Sequence, residues 1–453
     1  MNALQTQPDA VPARAVVVGL GKSGFSAARY LLARGYAVAV TDSRAEPPEW
    51  PRLLALERAM GREITVRRGG FDAALLEGAA LLVLSPGVAP VGPFFEAARA
   101  RGVAVVGDIE LFARAARAPV AGITGTNGKS TVTTLLARMA ARAGVRQRCG
   151  GNLGEPALDL LDDAAQLYVL ELSSFQLETA NSLAPAAAVV LNVAPDHLDR
   201  YHDMQAYAAA KARIYAHCEV AVVNLDDERV AAMAGGSRRL SFSLREGSGA
   251  DYGLARREGR PWLMRHGEAL LAVEAMRVSG AHNIANALAA LALGEALSLP
   301  RAAMLAELRE FAGLAHRSQW VADVHGVHYI DDSKGTNVSA TLAAVAALDG
   351  PLFVILGGEG KGQDFRPLHA ALAGRVRAAL LIGRDAPALG AALAGACECH
   401  YCATLEAAVA LAATLARPGD TVLLSPACAS LDMFRDYAHR GRAFAAAVNG
   451  LAA

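Results

Sequence analysis

The chain holds 453 residues, 53% of them hydrophobic, with 44 lysines and arginines balanced by 44 aspartates and glutamates. That length suggests about three domains with room for large apolar cores, and the even charge advertises neither a nucleic-acid nor a membrane partner. Six cysteines do not make a disulfide scaffold in so long a chain. Residues 1–13 lack the charged start and apolar run of a signal peptide, and no uninterrupted apolar stretch is long enough to cross a bilayer, so the expected setting is cytoplasmic.

The first block reads as strand Ala15–Gly19, helix Ser23–Arg34 and strand Ala37–Thr41, followed by apolar strands Ala80–Leu84 and Val103–Val106. Gly19-Leu20-Gly21-Lys22-Ser23-Gly24 joins a strand to a helix, and Asp42 ends the next strand, close to the place of the ribose-binding acid in dinucleotide folds. The same turn suits any diphosphate, or a tight turn with no ligand. Ser85-Pro86-Gly87-Val88 follows another strand and makes a second ligand-facing turn.

The second block opens on the most informative stretch, Gly122-Ile-Thr-Gly-Thr-Asn-Gly-Lys-Ser-Thr131, between the strand Val120–Ile123 and a Leu- and Ala-rich helix. Gly125 and Gly128 let the backbone of Thr126 and Asn127 approach a ligand, Lys129 supplies a point charge, and Ser130 or Thr131 offers a hydroxyl to a metal. This suits the phosphates of a nucleoside triphosphate with Mg²⁺, although Gly122 lies one residue too far from Gly128 for the strict P-loop spacing. Strands Leu167–Leu172, Ala187–Asn192 and Val220–Asn224 follow. Glu171, near the end of its strand, is placed for a hard cation or for water. His197 follows the next strand beside Asp196 and Asp199. Lys211 shares a face with Tyr207 and Tyr215 on a helical stretch Met204–His217, either snorkelling or buried as a neutral amine. Asn283 and Asn286 open the helix Asn283–Ala296, where their amides would hold a purine or phosphate oxygen, or cap the helix.

The third block carries strands Val327–Ile330, Leu352–Leu356, Ala378–Ile382 and Thr421–Leu424. Polar loops follow three of them: Asp331–Asn337, Gly357–Phe365 and Ser425–Phe434. Together these make one rim suited to an anionic substrate such as a small carboxylate. Cys397, Cys399, His400 and Cys402 lack paired zinc-ligand spacing and read as a short strand before the helix Thr404–Ala416. Strands alternating with helices imply parallel, doubly wound sheets, with divisions at 1–117, 118–314 and 315–453.

From Gly19 to Phe434 these strings resemble the Mur ligase family of peptidoglycan synthesis. Glu171-Leu-Ser-Ser-Phe-Gln-Leu-Glu178, Asp331–Asn337 and Ser425–Ser430 resemble the branch that adds D-glutamate. The resemblance implies three domains: a Rossmann-like UDP-sugar domain, a central P-loop ATPase domain and a Rossmann-like amino-acid domain. It implies ATP, UDP-N-acetylmuramoyl-L-alanine and D-glutamate as substrates, and two Mg²⁺ ions. Gly19, Leu20, Gly21, Lys22, Ser43, Arg44, Ser85 and Gly87 would then hold the uridine diphosphate, with Asn152 and Ser173 toward the muramoyl part. Lys129 would neutralise the γ-phosphate. Ser130 and Glu171 would hold one ion, and His197 with a carbamylated Lys211 the other. Asn283, Asn286, Arg317 and Asp332 would contact ATP. Lys334, Thr336, Lys361, Ser430 and Phe434 would position the amino acid. Gly335 replaces an alanine common in the family, and Glu359 an aspartate. The chain is taken as a monomer whose third domain closes on ATP. Three readings compete: a ligase of the same architecture that adds a diamino acid, a dipeptide, or glutamate to folate; an NAD-dependent dehydrogenase or sensor built on Gly19–Gly24; and a non-catalytic nucleotide switch.

Overall fold

The computed structural model describes residues 13–233, 235–278 and 280–451. The first sheet contains β1 (Arg14–Val18), β2 (Ala37–Asp42), β3 (Thr65–Arg68), β4 (Ala79–Leu84) and β5 (Ala104–Gly107), in the order β3-β2-β1-β4-β5. All of its pairs are parallel. The order reverses between β1 and β4, so a crevice opens where Gly19–Gly24 and Ser85–Val88 leave the sheet.

The central sheet adds β6 (Val120–Thr124), β7 (Gln147–Gly151), β8 (Leu167–Glu171), β9 (Ala187–Val190), β10 (Val220–Asn224), β11 (Arg238–Phe242), β12 (Tyr252–Arg257), β13 (Arg260–Arg265) and β14 (Glu268–Ala272). Its order is β14-β13-β12-β11-β10-β9-β6-β8-β7. The β12–β13 and β13–β14 pairs are antiparallel, which departs from the all-parallel expectation. Each hairpin turns on two residues with positive φ, Glu258-Gly259 (52° and 76°) and His266-Gly267 (45° and 83°), the tight turn whose twist matches paired strands.

The last sheet contains β15 (Gln319–Val324), β16 (Val327–Asp331), β17 (Leu352–Gly357), β18 (Val376–Ile382), β19 (Glu398–Tyr401) and β20 (Thr421–Leu424), in the order β15-β16-β20-β17-β18-β19. β15 is again an antiparallel edge, joined to β16 through His325-Gly326 (52° and 78°). The cysteine-rich segment forms the opposite edge strand, β19. No group of three or more His, Cys, Asp or Glu among the described residues is arranged to hold a metal.

One apolar core runs from the first sheet into the central one. Phe112 meets Tyr168 edge-on at 5.0 Å. The buried Glu110 carboxylate accepts from the backbone N–H groups of Asn181 and Ser182 at 2.7 and 2.8 Å. The last sheet has separate cores on its two faces. Among the described residues no helix is long and apolar enough to cross a membrane.

Candidate functional site

At the switch point of the first sheet lies a cavity of about 570 Å³ lined by Gly19, Gly21, Lys22, Ser43, Arg44, Ser85, Gly87 and, from the central block, Asn152 and Gln176. Asp42 takes no part as a free ribose ligand. Its carboxylate accepts from Leu20 N–H at 2.6 Å and from the Arg44 guanidinium at 2.9 and 2.7 Å. Leu20 thus contributes a backbone donor to Asp42, and its side chain is fully buried. Ser85 Oγ donates to Gly19 O at 2.7 Å, bracing the turn. A β-carbon on Gly24 would lie 1.9 Å from Gly19 O, so this glycine serves helix–strand approach. Ser173 is the N-cap of the helix Ser174–Glu178, in a capping box with Gln176, and lies outside the two large cavities.

The glycine-rich turn sits between β6 and the helix Lys129–Arg142. Thr126 N–H donates to Asn192 O at 2.9 Å, and Asn127 N–H to Asn192 Oδ1 at 2.8 Å. Gly125 has φ 148° and Gly128 has φ 85°. A β-carbon on Gly128 would come within 2.4 Å of Asn286 Oδ1, which fixes glycine there on both counts. Lys129 Nζ folds back onto Gly125 O and Thr126 O, both at 2.8 Å. Burial lowers its pKa, against the pull of Glu171 and Asp196.

Glu171 is 3% exposed. Its Oε1 accepts from Asn152 Nδ2 at 2.7 Å, and its Oε2 is buried without a hydrogen-bond partner among the described residues. Lys211 Nζ donates to the same Gly125 carbonyl at 2.8 Å and lies 4.5 Å from the Tyr207 ring centre. Burial first, and Lys129 second, push its pKa well below the usual lysine value. Tyr215 does not join this face: the helix ends at Ala212, and Tyr215 Oη donates to Val222 O at 2.6 Å. His197 has φ 56°, stands 4.9 Å from the Phe175 ring and is depressed chiefly by burial, with Asp196 opposing.

A larger cavity, about 720 Å³, lies between the central and last sheets. Asn127, Gly128 and Thr131 line one side, His282, Asn283 and Asn286 another, and Arg317, Trp320, Asp332 and Lys334 face them. The helix here is Ala281–Ala296 with Gly280 as its cap, so Asn283 and Asn286 lie inside its first turns and do not cap it. Asp332 Oδ2 accepts from Ser425 Oγ at 2.7 Å, and burial raises its pKa to about 6. Lys334 Nζ lies 3.9 Å from the Tyr437 ring centre, and burial lowers its pKa to about 8.

The last sheet meets the phosphate turn directly. Arg317 Nη2 donates to Ser130 Oγ at 2.7 Å. Asn127 Nδ2 donates to Ser339 Oγ at 2.7 Å. Asn337 Nδ2 donates to Asn127 Oδ1 at 3.1 Å and to Asp196 Oδ2 at 3.3 Å. Thr336, Lys361, Ser430 and Phe434 sit on the loops after β16, β17 and β20, outside both cavities. Thr336 N–H donates to Lys334 O at 2.8 Å, and Phe434 N–H to the carbonyl of buried Ser430 at 2.7 Å. Lys361, at φ 52°, bears on His197 by its charge. Sequence reasoning assigns no role of their own to Asn192, Asp196, His282 and Asn337, although each lies in a string it singled out; Asn and Asp are common cap and turn residues, and only the fold sets Asn192 and Asn337 against Asn127, Asp196 against Asn337, and His282 in the larger cavity.

Three family models cover the chain in order: the Mur ligase MurD-like N-terminal domain over residues 13–107, the Mur ligase middle domain over 123–294 and the Mur ligase glutamate ligase domain over 316–428. The chain belongs to the Mur ligase family. This Mur ligase is 53% identical to the UDP-N-acetylmuramoylalanine–D-glutamate ligase of Nitrosococcus oceani, over 97% of each chain. It is 50% identical to that of Pseudomonas aeruginosa, over 96% of this chain and 98% of the relative. Among solved structures, the UDP-N-acetylmuramate–alanine ligase MurC of Thermotoga maritima superposes with a TM-score of 0.61 at 20% identity, covering 96% of this chain and 99% of the other. The MurF ligase of Thermotoga maritima in complex with ADP gives 0.59 at 16% identity, covering 98% and 96%. At those identities the structures speak for the three-domain architecture alone.

Proposed function

We propose that this Mur ligase joins D-glutamate to UDP-N-acetylmuramoyl-L-alanine at the expense of ATP, in peptidoglycan precursor synthesis. Residues 1–117 serve the UDP-sugar, 118–314 ATP and 315–453 the amino acid. The observation that carries the reading is the meeting of the phosphate turn with the last sheet, through Arg317–Ser130 at 2.7 Å and Asn337–Asn127 at 3.1 Å. A triphosphate in the 720 Å³ cavity then ends beside the rim that takes the amino acid, so the two half-reactions share one crevice.

A carboxylate is a poor acyl donor. Transfer of the γ-phosphoryl group to the alanyl carboxylate gives an acyl phosphate and ADP. The neutral glutamate amine attacks that carbonyl, the nitrogen gives up a proton, and the tetrahedral intermediate collapses to the amide with breakage of the C–O bond to inorganic phosphate. Lys129 leaves the carbonyls of Gly125 and Thr126 to meet the γ-phosphate. Asp332 and the Asn283–Asn286 face hold the nucleoside end, while Lys334, Thr336, Lys361, Ser430 and Phe434 hold glutamate. Gly19–Lys22, Ser43-Arg44 and Ser85–Gly87 hold the uridine diphosphate.

The residues fit Mg²⁺. The buried Oε2 of Glu171, without a hydrogen-bond partner among the described residues, is a hard oxygen donor, and with the Ser130 hydroxyl it would hold one ion. The buried amine of Lys211 favours its neutral form, the form that captures CO₂ as a carbamate with loss of a proton. That carbamate and His197 would hold a second ion. Bound divalent cations would offset negative charge on the transferring phosphoryl group.

The test is phosphate release from ATP with UDP-N-acetylmuramoyl-L-alanine, comparing D-glutamate, L-glutamate and diaminopimelate. Release with D-glutamate alone is expected. Silence with D-glutamate, or equal release with diaminopimelate, overturns the reading.

A further inference from the structure

We infer that Arg440 is the positioning residue of the amino-acid rim, locking together from beneath the three loops that carry its side chains. Arg440 lies in the first turns of the helix Tyr437–Gly450 and is 1% exposed. Its Nε donates to Ser333 Oγ at 3.0 Å, its Nη2 to Ser333 O at 2.9 Å and Cys428 O at 3.1 Å, and its Nη1 to Gly357 O at 3.4 Å. Ser333 lies in the loop after β16, Cys428 in the loop after β20, and Gly357 ends β17; these three strands are adjacent in the sheet. The next residues on those loops are Lys334 and Thr336, then Ser430 and Phe434, then Lys361. One side chain therefore sets the spacing of every group proposed to hold glutamate.

Only a guanidinium can do this. Its planar fork carries five N–H donors in fixed directions, whereas an ammonium reaches outward from one point. The surrounding geometry shows the same intent. Ser333 Oγ donates in turn to Tyr437 O at 2.8 Å, and Lys334 Nζ rests over the ring of that tyrosine. At the next residue, a β-carbon on Gly441 would lie 2.2 Å from His316 Nδ1 and 2.7 Å from Asp331 Oδ2, so the helix backbone presses against the end of β16. All the hydrogen-bond acceptors of Arg440 are carbonyls or a hydroxyl, and no carboxylate pairs with it among the described residues. Burial lowers its pKa to about 10, and Asp432, Asp331 and Asp332 act on its charge from further away, so its part is to hold the loops and not to supply charge to the rim.

The inference rests on the ligase reading, and the experiment separates the two. Phosphate release is measured for the wild type, Arg440→Lys and Ser333→Ala, varying D-glutamate, ATP and the UDP-sugar in turn. The expected result is a KM for D-glutamate raised about 10-fold or more in Arg440→Lys and a few-fold in Ser333→Ala, with the KM for ATP within about twofold, since misplacement by an ångström is this costly. Unchanged KM for D-glutamate, or all three KM values rising together, overturns the positioning role while leaving the ligase reading standing. If Arg440→Lys fails to fold, the same comparison in Ser333→Ala decides. A wild type that releases no phosphate with D-glutamate overturns both.

Discussion

Glu171 gives one carboxylate oxygen to Asn152 and buries the other without a hydrogen-bond partner among the described residues. An arrangement of that kind costs about 1–3 kcal/mol in the folded state, and its retention points to a ligand. Glu171→Gln keeps the shape and removes the charge. The expected outcome is a loss of phosphate release of about 100-fold or more, with a melting temperature equal to or above the wild type. A variant that turns over normally, or one that melts well below it, removes the cation role. Lys211 admits a sharper test, because it shares the Gly125 carbonyl with Lys129 and makes no ion pair among the described residues. Lys211→Ala should lose turnover and regain part of it with added formate or acetate, which would stand in for the carbamate. Full activity without additive, or no recovery at any concentration, sinks the carbamate. The sequence singled both out, Glu171 as a carboxylate near a strand end and Lys211 as a lysine among aromatics, and the fold sets Glu171 opposite Ile123 and Lys211 on the Gly125 carbonyl. Asp42 shows the opposite case. Its position at the end of β2 reads as a ribose ligand, yet bonds to Leu20 and Arg44 occupy both oxygens, a commitment that no spacing in the chain reveals.

At the scale of elements, the parallel strands β1, β6, β8, β9, β17 and β20 were readable as short apolar runs because both faces of each are covered. The meander β12–β13–β14 was not. Arg256, Arg257, Arg260 and Arg265 interrupt its hydrophobic pattern, and its turns reduce to single X-Gly pairs within polar sequence. Beside its pairing with β11 and the burial of Tyr252, Leu263 and Leu271 in the central core, the meander is clipped to the central domain by Glu295, near the end of the helix Ala281–Ala296. Glu295 takes two hydrogen bonds from Arg265 and one from Tyr252, all at 2.5 Å. The Arg265 pair holds the glutamate pKa down to about 2, from 4.5. A depressed carboxyl stabilises the fold above its unfolded pKa and loses that contribution as pH falls through the folded value. Solvent screens the exposed side of the pair, so Glu295→Gln should cost about 1 kcal/mol or less at neutral pH. Urea midpoints should show that gap closing as pH falls from 4.5 toward 2. A gap independent of pH would mean that the clip acts by shape and not by charge.

At the scale of the whole molecule, the first two blocks are fused by a common core, whereas the last meets the phosphate turn through a few polar contacts. Interfaces of that kind permit rigid-body motion. ATP would brace this one from both sides, touching Gly128 in the central block and Asp332 in the last. Asn337 is the residue on which the balance can be tilted without harming either body. It caps the helix Val338–Ala346, its Oδ1 accepting from Ala340 N–H at 2.9 Å, and its amide reaches across to Asn127 and Asp196. Asn337→Asp keeps the cap, since aspartate serves there equally well, but removes both cross-domain donors and sets a second carboxylate against Asp196. Scattering should therefore give a larger radius of gyration for the free variant than for the free wild type, with ATP restoring part of the difference and turnover falling several-fold. The melting temperature should stay close to the wild type because the cap is intact. Equal radii with and without ATP in both proteins would show that the last domain is fixed in place, and that the crevice is built closed instead of being drawn shut by its substrates.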